Sequence, residues 1–411
     1  MIKILVVCLT LFASCGRWCN VDARLQLSQQ EFQLRSQLKA LNKPPIKSYK
    51  KDDGNIIDCV DIYKQPAFDH PLLKDHKIQM RPSSALQDLA KSLLVQEDET
   101  ILETKSEMKY DCPSGSVPIR RTRRRDLIRS KSALNHYRTM IRGPPFTSQQ
   151  GVSFAGVTTQ TGKANHYLGA KTFNSLYNLS LINSQVSTAS LRIGNGVDGS
   201  FTSIEYGWTL NHELYGDTKA RTFSLWTADG FQKTGCFNTL CPGFVQVHPG
   251  RPMGDEITYF SEYDKSKLFM MYAIIKDPKT KDWWIVESIP DKANQYIGYW
   301  PQALFPNMAE FATNVQAGGK VSNPQNRSTS HCQEQVHCSI YTVERSLSAL
   351  TGHYKSEDFL KTADMLVEVI NSTYSFMDDP HMVVVANTPD LYKAQFLDQG
   401  EVLYGGPDFP A

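Results

Sequence analysis

At 411 residues the chain is long enough for two or three domains, each with its own core. Apolar residues make up 41% and charged residues 21%, an ordinary globular balance. A formal net charge of +2 argues against a dedicated nucleic-acid binder.

The chain opens MIKILVVCLTLFASCGRWCNVDA. Lys3 supplies a positive start, and the apolar run Ile4–Ala13 falls short of the ~20 residues that span a bilayer. A cut after Ala23 would put Val21 and Ala23 at the usual small-residue positions, so residues 1–23 read as a signal peptide. A buried N-terminal strand is the competing reading. No later segment is long and apolar enough for a membrane helix, so a secreted, extracellular protein without a membrane partner is expected. Sequons headed by Asn178, Asn326 and Asn371 fit export.

The predicted cut removes Cys8, Cys15 and Cys19. It leaves Cys59, Cys112, Cys236, Cys241, Cys332 and Cys338, an even set that suggests disulfides in an exported chain. Cys236/Cys241 and Cys332/Cys338 are close in sequence, and Cys59 could pair with Cys112, but six cysteines leave the connectivity open. None has the paired CxxC spacing of a zinc ribbon, and no nucleotide-binding glycine motif is present. No metal or cofactor is expected.

Residues 24–42 place Leu27, Leu34, Leu38 and Leu41 near helical spacing, and Pro44-Pro45 ends that helix. Asp52–Asn55 reads as a turn and Ile56–Ile62 as a strand. Gln65–Ser84 is punctuated by prolines and cannot form a regular helix. Arg120–Arg125 carries five arginines in six positions. It reads as a solvated loop, a nucleic-acid patch without interleaved aromatics, or a processing site, and an exposed linker open to cleavage is favoured.

From residue 151 the texture changes to short β-branched and aromatic runs between Gly, Asn and Asp turns. Examples are Ser200–Leu210, Ala220–Trp226, Gly243–His248, Leu268–Lys276, Trp283–Glu287 and Tyr296–Trp300. This pattern predicts an antiparallel sandwich or barrel. Pro301–Val315 reads as a helix or irregular excursion, and helix-like stretches are expected at Val343–Leu350 and Asp358–Ile370.

Two sets of segments resemble the neprosin family of secreted plant glutamic peptidases. Leu41–Ser84 and Cys112–Thr122 look like its activation peptide. Ser203–Asp217, Trp226–Phe244, Lys276–Val286 and Ile297–Phe305 look like its catalytic domain, with Gly405–Pro407 similar to its C-terminal ending. The resemblance covers roughly residues 24–324, with 325–400 divergent. It implies a mainly β chain: an antiparallel two-sheet β-sandwich of the concanavalin-like kind over 151–411, preceded by a small α+β pro-domain over 24–150. It further implies a precursor inhibited by its own pro-segment, and an acid-active endopeptidase that cuts proline-containing peptides or cell-wall proteins in the apoplast or wall. The Cys236/Cys241 pair matches a family disulfide.

The first family glutamate maps onto Glu205, followed by Tyr206 where a small residue is usual. The second belongs to a Gly-Gly-Glu-Val motif that here reads Gly318-Gly319-Lys320-Val321. Two neighbouring carboxyls share a proton, so one can act as acid and the other as base. A lysine instead holds its partner ionised and, with a pKa of ~10.4, gives up protons reluctantly. Lost or strongly reduced peptidase activity is expected, with a non-catalytic sandwich binding peptide or glycan as the alternative. Glu310, Glu287, Glu256 and Asp255 carry no signal that aims them at Glu205. Trp208, Trp226, Tyr299 and Trp300 are candidates for a cleft wall, with core packing as the competing reading. His166, His212 and His248 lack a Ser or Cys partner motif, so a triad is not supported.

Overall fold

A computed structural model describes residues 29–94, 110–141, 152–159, 166–179, 181, 185–196, 201–261, 268–288, 293–322, 363–371, 382–386, 393–396 and 401–405. The predicted signal peptide, Asn326, Cys332, Cys338 and the helix expected at Val343–Leu350 lie outside the described residues.

Residues 29–41 form helix α1, which buries Leu34 and Leu41 as its spacing predicts. Strands β1 (Pro45–Lys50), β2 (Ile56–Asp61) and β3 (Ser116–Arg120) make a three-stranded antiparallel sheet. Cys59 on β2 is disulfide-bonded to Cys112. Between them, residues 62–73 run as three short 3-10 turns, two of which begin at Pro66 and Pro71. Helix α2 (Ser84–Leu93) follows, with the Ser83 hydroxyl accepting from the Leu86 amide at its N-cap.

The expected exposed linker at Arg120–Arg125 is corrected here. Arg120 ends β3 and Arg124 starts an 18-residue helix, α3 (Arg124–Ile141). The run stays ordered because acidic partners neutralise it. Arg121 pairs with Asp58 at 2.6 Å, Arg123 with buried Asp126 at 3.3 Å, and Arg124 with Glu31 of α1 at 3.0 Å.

The body is two antiparallel sheets. The first has the order β16–β4–β14–β6–β7–β8–β9 among the described residues. Its strands are β4 (Val152–Thr159), β6 (Val186–Asn195), β7 (Thr202–Asn211), β8 (Ala220–Thr227), β9 (Cys236–Phe237), β14 (Asn314–Ser322) and β16 (Met382–Ala386). The second has the order β10–β13–β12–β11–β5–β15–β18–β17. Its strands are β5 (Tyr167–Ser175), β10 (Val245–Gln246), β11 (Phe269–Lys276), β12 (Trp283–Ser288), β13 (Gln295–Trp300), β15 (Ala363–Asn371), β17 (Lys393–Phe396) and β18 (Glu401–Gly405). A one-turn helix, α4 (His212–Tyr215), links β7 to β8. The chain is therefore mainly β, a two-sheet sandwich preceded by a small α+β unit.

Of the two readings of Pro301–Val315 the irregular one holds: 3-10 turns at Gln302–Leu304 and Pro306–Met308 precede β14, which begins at Asn314. The helix expected at Asp358–Ile370 is corrected over its described part: Ala363–Asn371 is a strand held between β5 and β18. Val367, Val369 and Ile370 are β-branched, and the sheet supplies ladder partners on both sides that a local helical pattern does not register.

Side-chain alternation sorts the aromatics. On β7, Ile204, Tyr206, Trp208 and Leu210 join one core with Trp226, Trp283 and Trp300. The Tyr206 hydroxyl crosses to the second sheet and donates to Glu287, which also pairs with Arg251 at 2.6 Å. On the far face of the second sheet, Ala273, Ile275, Trp284, Val286 and Tyr299 form a separate cluster. The N-terminal unit covers it with Ala67, Leu86, Ala90 and Leu94. Tyr299 accepts from the Gln79 amide at 2.9 Å, and Gln65 exchanges two hydrogen bonds with the Gln246 backbone.

Replacing Tyr206 with Phe removes a donor from a buried carboxylate. Urea denaturation should show a loss of about 1–3 kcal/mol. An unchanged midpoint would show that Glu287 does not depend on this bond.

Candidate functional site

Glu205 lies on β7 in register with Arg192 of β6 and Leu225 of β8. Lys320 on β14 pairs with Thr188 of β6, so both side chains fall on the face turned away from the second sheet. A close approach of β4 and β14 supports that position. A Cβ on Gly156 would sit 2.2 Å from the Ala317 carbonyl, so the Gly156–Gly318 pair is needed two residues from Lys320.

Glu205 is only 1% exposed. Lys320 Nζ donates to its Oε1 at 2.7 Å, and Ser190 Oγ donates to the same oxygen at 2.6 Å. The second oxygen accepts from the hydroxyl of Tyr137 on α3, and Lys320 Nζ lies 3.4 Å from that hydroxyl. Burial pushes the Glu205 carboxyl up, but Lys320, Arg192 and Ser190 outweigh it and hold the carboxyl below its ordinary value. Burial pulls the Lys320 ammonium down against the attraction of Glu205. The pair is a buried salt bridge in the place where the resemblance expects two carboxylates.

Helix α3 lies over this pair. Leu127, Ala133 and Tyr137 are buried along one stripe. Ser132 Oγ donates to Glu213 of α4 at 2.6 Å, and His136 Nδ1 contacts the other Glu213 oxygen at 3.1 Å. Arg129 packs on Gly216, whose φ of +80° caps α4; a Cβ there would meet the guanidinium at 2.0 Å. The Tyr137 ring meets Phe231 and Phe237 edge-on, with centroids 5.9 and 6.3 Å away. A cavity of about 40 Å³ remains, lined by His136, Tyr137, Glu205, Thr209, Phe237 and Lys320 among others.

Phe231, packed edge-on against the Tyr137 ring, has φ +61°, a left-handed backbone that costs a bulky residue about 1–3 kcal/mol. Its loop holds it there. Phe231 N donates to Thr227 Oγ1 at 2.7 Å, and Asp229 accepts from the amides of Gln232, Lys233 and Thr234. The Cys236–Cys241 disulfide closes the neighbouring strand.

Of the residues singled out in the sequence, Glu205 and Lys320 come together. Trp208, Trp226 and Trp300 belong to the core shared by the two sheets, and Tyr299 to the far face of the second sheet, so none walls this site. Glu287 pairs with Arg251, while Glu256 pairs with Lys51 and Lys219, so neither replaces the missing glutamate. Asn178 is exposed and Asn371 lies on β15. Tyr137, Ser190, Phe231 and Phe237 were not anticipated. Ala133 and Tyr137, four residues apart, carry a helical spacing that the neighbouring arginines mask. Among the described residues no His/Cys/Asp/Glu group could hold a metal, and no helix is long and apolar enough to cross a membrane.

Residues 183–336 match the family model described as Neprosin, and residues 48–164 match the Neprosin activation peptide. The N-terminal region is thus an activation peptide, and α3 lies over Glu205 where an inhibitory pro-segment would act. Among solved structures, the chain is similar to scytalido-glutamic peptidase with a peptide-based transition-state analog. Identity is 9%, coverage 63% of this chain and 100% of that one, and TM-score 0.33. It is also similar to SCP-B, a member of the eqolisin family of peptidases in complex with the tripeptide Ala-Ile-His, at 10% identity, 63% and 100% coverage, and TM-score 0.31.

Two outcomes are expected of this site. Lys320→Met strips the buried carboxylate of its nearest cation and should cost about 3–5 kcal/mol at neutral pH by chemical denaturation. A loss below 1 kcal/mol would mean that the remaining donors suffice. The second concerns pH. Glu213, like Glu205, is held below its ordinary value, chiefly by the His136 hydrogen bond and then by Ser132. Stability from depressed carboxyls is full above their unfolded pKa of ~4.3 and is lost as pH falls through the folded values. Protease susceptibility of α3 should stay flat from pH 7 to 5 and rise below about pH 4. Glu213→Gln should flatten part of that rise; a profile identical to wild type would remove Glu213 from the account.

Proposed function

Because the chain belongs to the neprosin family, we propose that it is a secreted glutamic-peptidase precursor whose proline-directed cleavage is lost or strongly reduced by Lys320. The observation that carries this reading is the 2.7 Å ion pair between Lys320 and Glu205. A peptidase of this type needs one group to take a proton from water and another to donate one to the leaving amine. Glu205, ionised and bound to an ammonium, can accept a proton only weakly. Lys320 would have to break its ion pair to donate one. General acid and base roles are worth about 10²–10⁴-fold each, so losing one is enough to silence the site on a working timescale.

In this reading residues 24–150 are the inhibitory pro-segment and 151–411 the mature domain, with residues 1–23 removed on export. Asn178, Asn326 and Asn371 are the candidate glycosylation sites. Extracellular destination, glycosylation and a proline-containing peptide or wall-protein partner rest on the sequence. The binding alternative gains from the same pair: a mature cleft that keeps Glu205, Lys320 and Ser190 can hold a polar ligand without turning it over.

The test compares acid-treated wild-type chain with Lys320→Glu on a proline-containing peptide. The variant is expected to cleave at least 100-fold faster, in line with one restored acid–base role. Robust wild-type cleavage abolished by Glu205→Gln would show that another group substitutes for the missing glutamate and would overturn the proposal.

A further inference from the structure

We infer that the Glu205–Lys320 site is a phenol-binding pocket, built to take the tyrosine side chain of a peptide once the pro-segment has left. The occupant already in place is the guide. Tyr137 donates its hydroxyl hydrogen to Glu205, while the Lys320 ammonium lies 3.4 Å from the same oxygen as a donor. A phenol needs one acceptor and offers one acceptor, and this pair supplies both complements. The ring is served as well. Phe231 and Phe237 present edges to it, and Lys320 Nζ stands 5.3 Å from its centroid.

Apart from Tyr137, every group in that description belongs to the mature domain. Glu205, Ser190, Lys320, Phe231 and Phe237 remain when α3 is removed. Phe231 is held at its left-handed φ by bonds from its own loop, to Thr227 and through Asp229, not by the pro-segment. Backbone strain kept in place by a dedicated loop is characteristic of ligand-contacting residues. The substitution that impairs acid–base chemistry therefore supplies the donor that a phenol oxygen requires. A second glutamate would offer that oxygen a second acceptor or a shared proton instead.

The inference deepens the binding reading above and rests on it, but its readouts do not involve cleavage, so the two can fail separately. In the full chain, Tyr137→Ala empties the pocket. p-Cresol should then raise the melting temperature, with toluene requiring at least tenfold higher concentration for the same shift. Adding Lys320→Met should erase that preference. N-acetyl-tyrosinamide against N-acetyl-phenylalaninamide repeats the comparison in peptide form; preference for p-cresol without preference for the tyrosyl compound would overturn the peptide assignment. Equal effects of p-cresol and toluene would overturn the phenol site itself. Should Tyr137→Ala fail to fold, Tyr137→Phe keeps the ring and removes only the hydroxyl. It should leave α3 at least tenfold more susceptible to proteolysis at pH 7, and an unchanged rate would overturn the inference.

Discussion

A carboxylate as enclosed as Glu205 must find its solvation within the protein. Lys320, Ser190 and Tyr137 provide it directly, and Arg192 adds to the positive potential. These partners come from strands β14 and β6 and from helix α3, so the ionised state of one side chain ties the centre of the first sheet to the pro-segment. The paired glycines between β4 and β14 and the register of β6 with β7 matter because they set the reach of those partners. An unpaired charge at this depth would cost several kcal/mol, more than most single contacts in the molecule.

The pro-segment holds the sandwich from two sides with different chemistry. On the first sheet it is polar and directional, through Tyr137, Ser132 and His136 acting on two glutamates. On the far face of the second sheet it adds apolar cover from Ala67, Leu86, Ala90 and Leu94 to hydrogen bonds that Ser83 and Gln79 donate to Asp277 and Asp282. Protonating the carboxylates weakens the polar contacts on both sides and leaves the hydrocarbon cover, which does not titrate.

Much of the β body was legible because its strands carry β-branched and aromatic runs between turn residues, as in β7, β8, β11 and β12. The Cys236–Cys241 bridge and the partnership of positions 205 and 320 were readable from motif. What escaped the sequence depends on long-range pairing. The arginines of 120–125 look like a solvated linker until Asp58, Asp126 and Glu31 come within reach from distant positions. Ala363–Asn371 has a helical pattern that loses to ladder partners on β5 and β18. The tryptophans read as a cleft wall because aromatic content does not say which face of a strand looks inward. That parity is fixed only by register, which puts Trp208 in the core and Glu205, three residues earlier, outside it.

The Cys59–Cys112 bridge closes a covalent ring around residues 60–111, and the whole apolar strap, from the Pro66 turn to α2, lies inside that ring. A backbone cut anywhere within the ring opens it without freeing either end, so the strap's two halves stay tethered to one another and to the sheet beneath. Only a break C-terminal to Cys112 can separate the pro-segment from the sandwich, and even then it departs as one cross-linked body. Until that body leaves, Trp284 and Tyr299 remain shielded, and the outer face of the second sheet stays hidden from any other molecule.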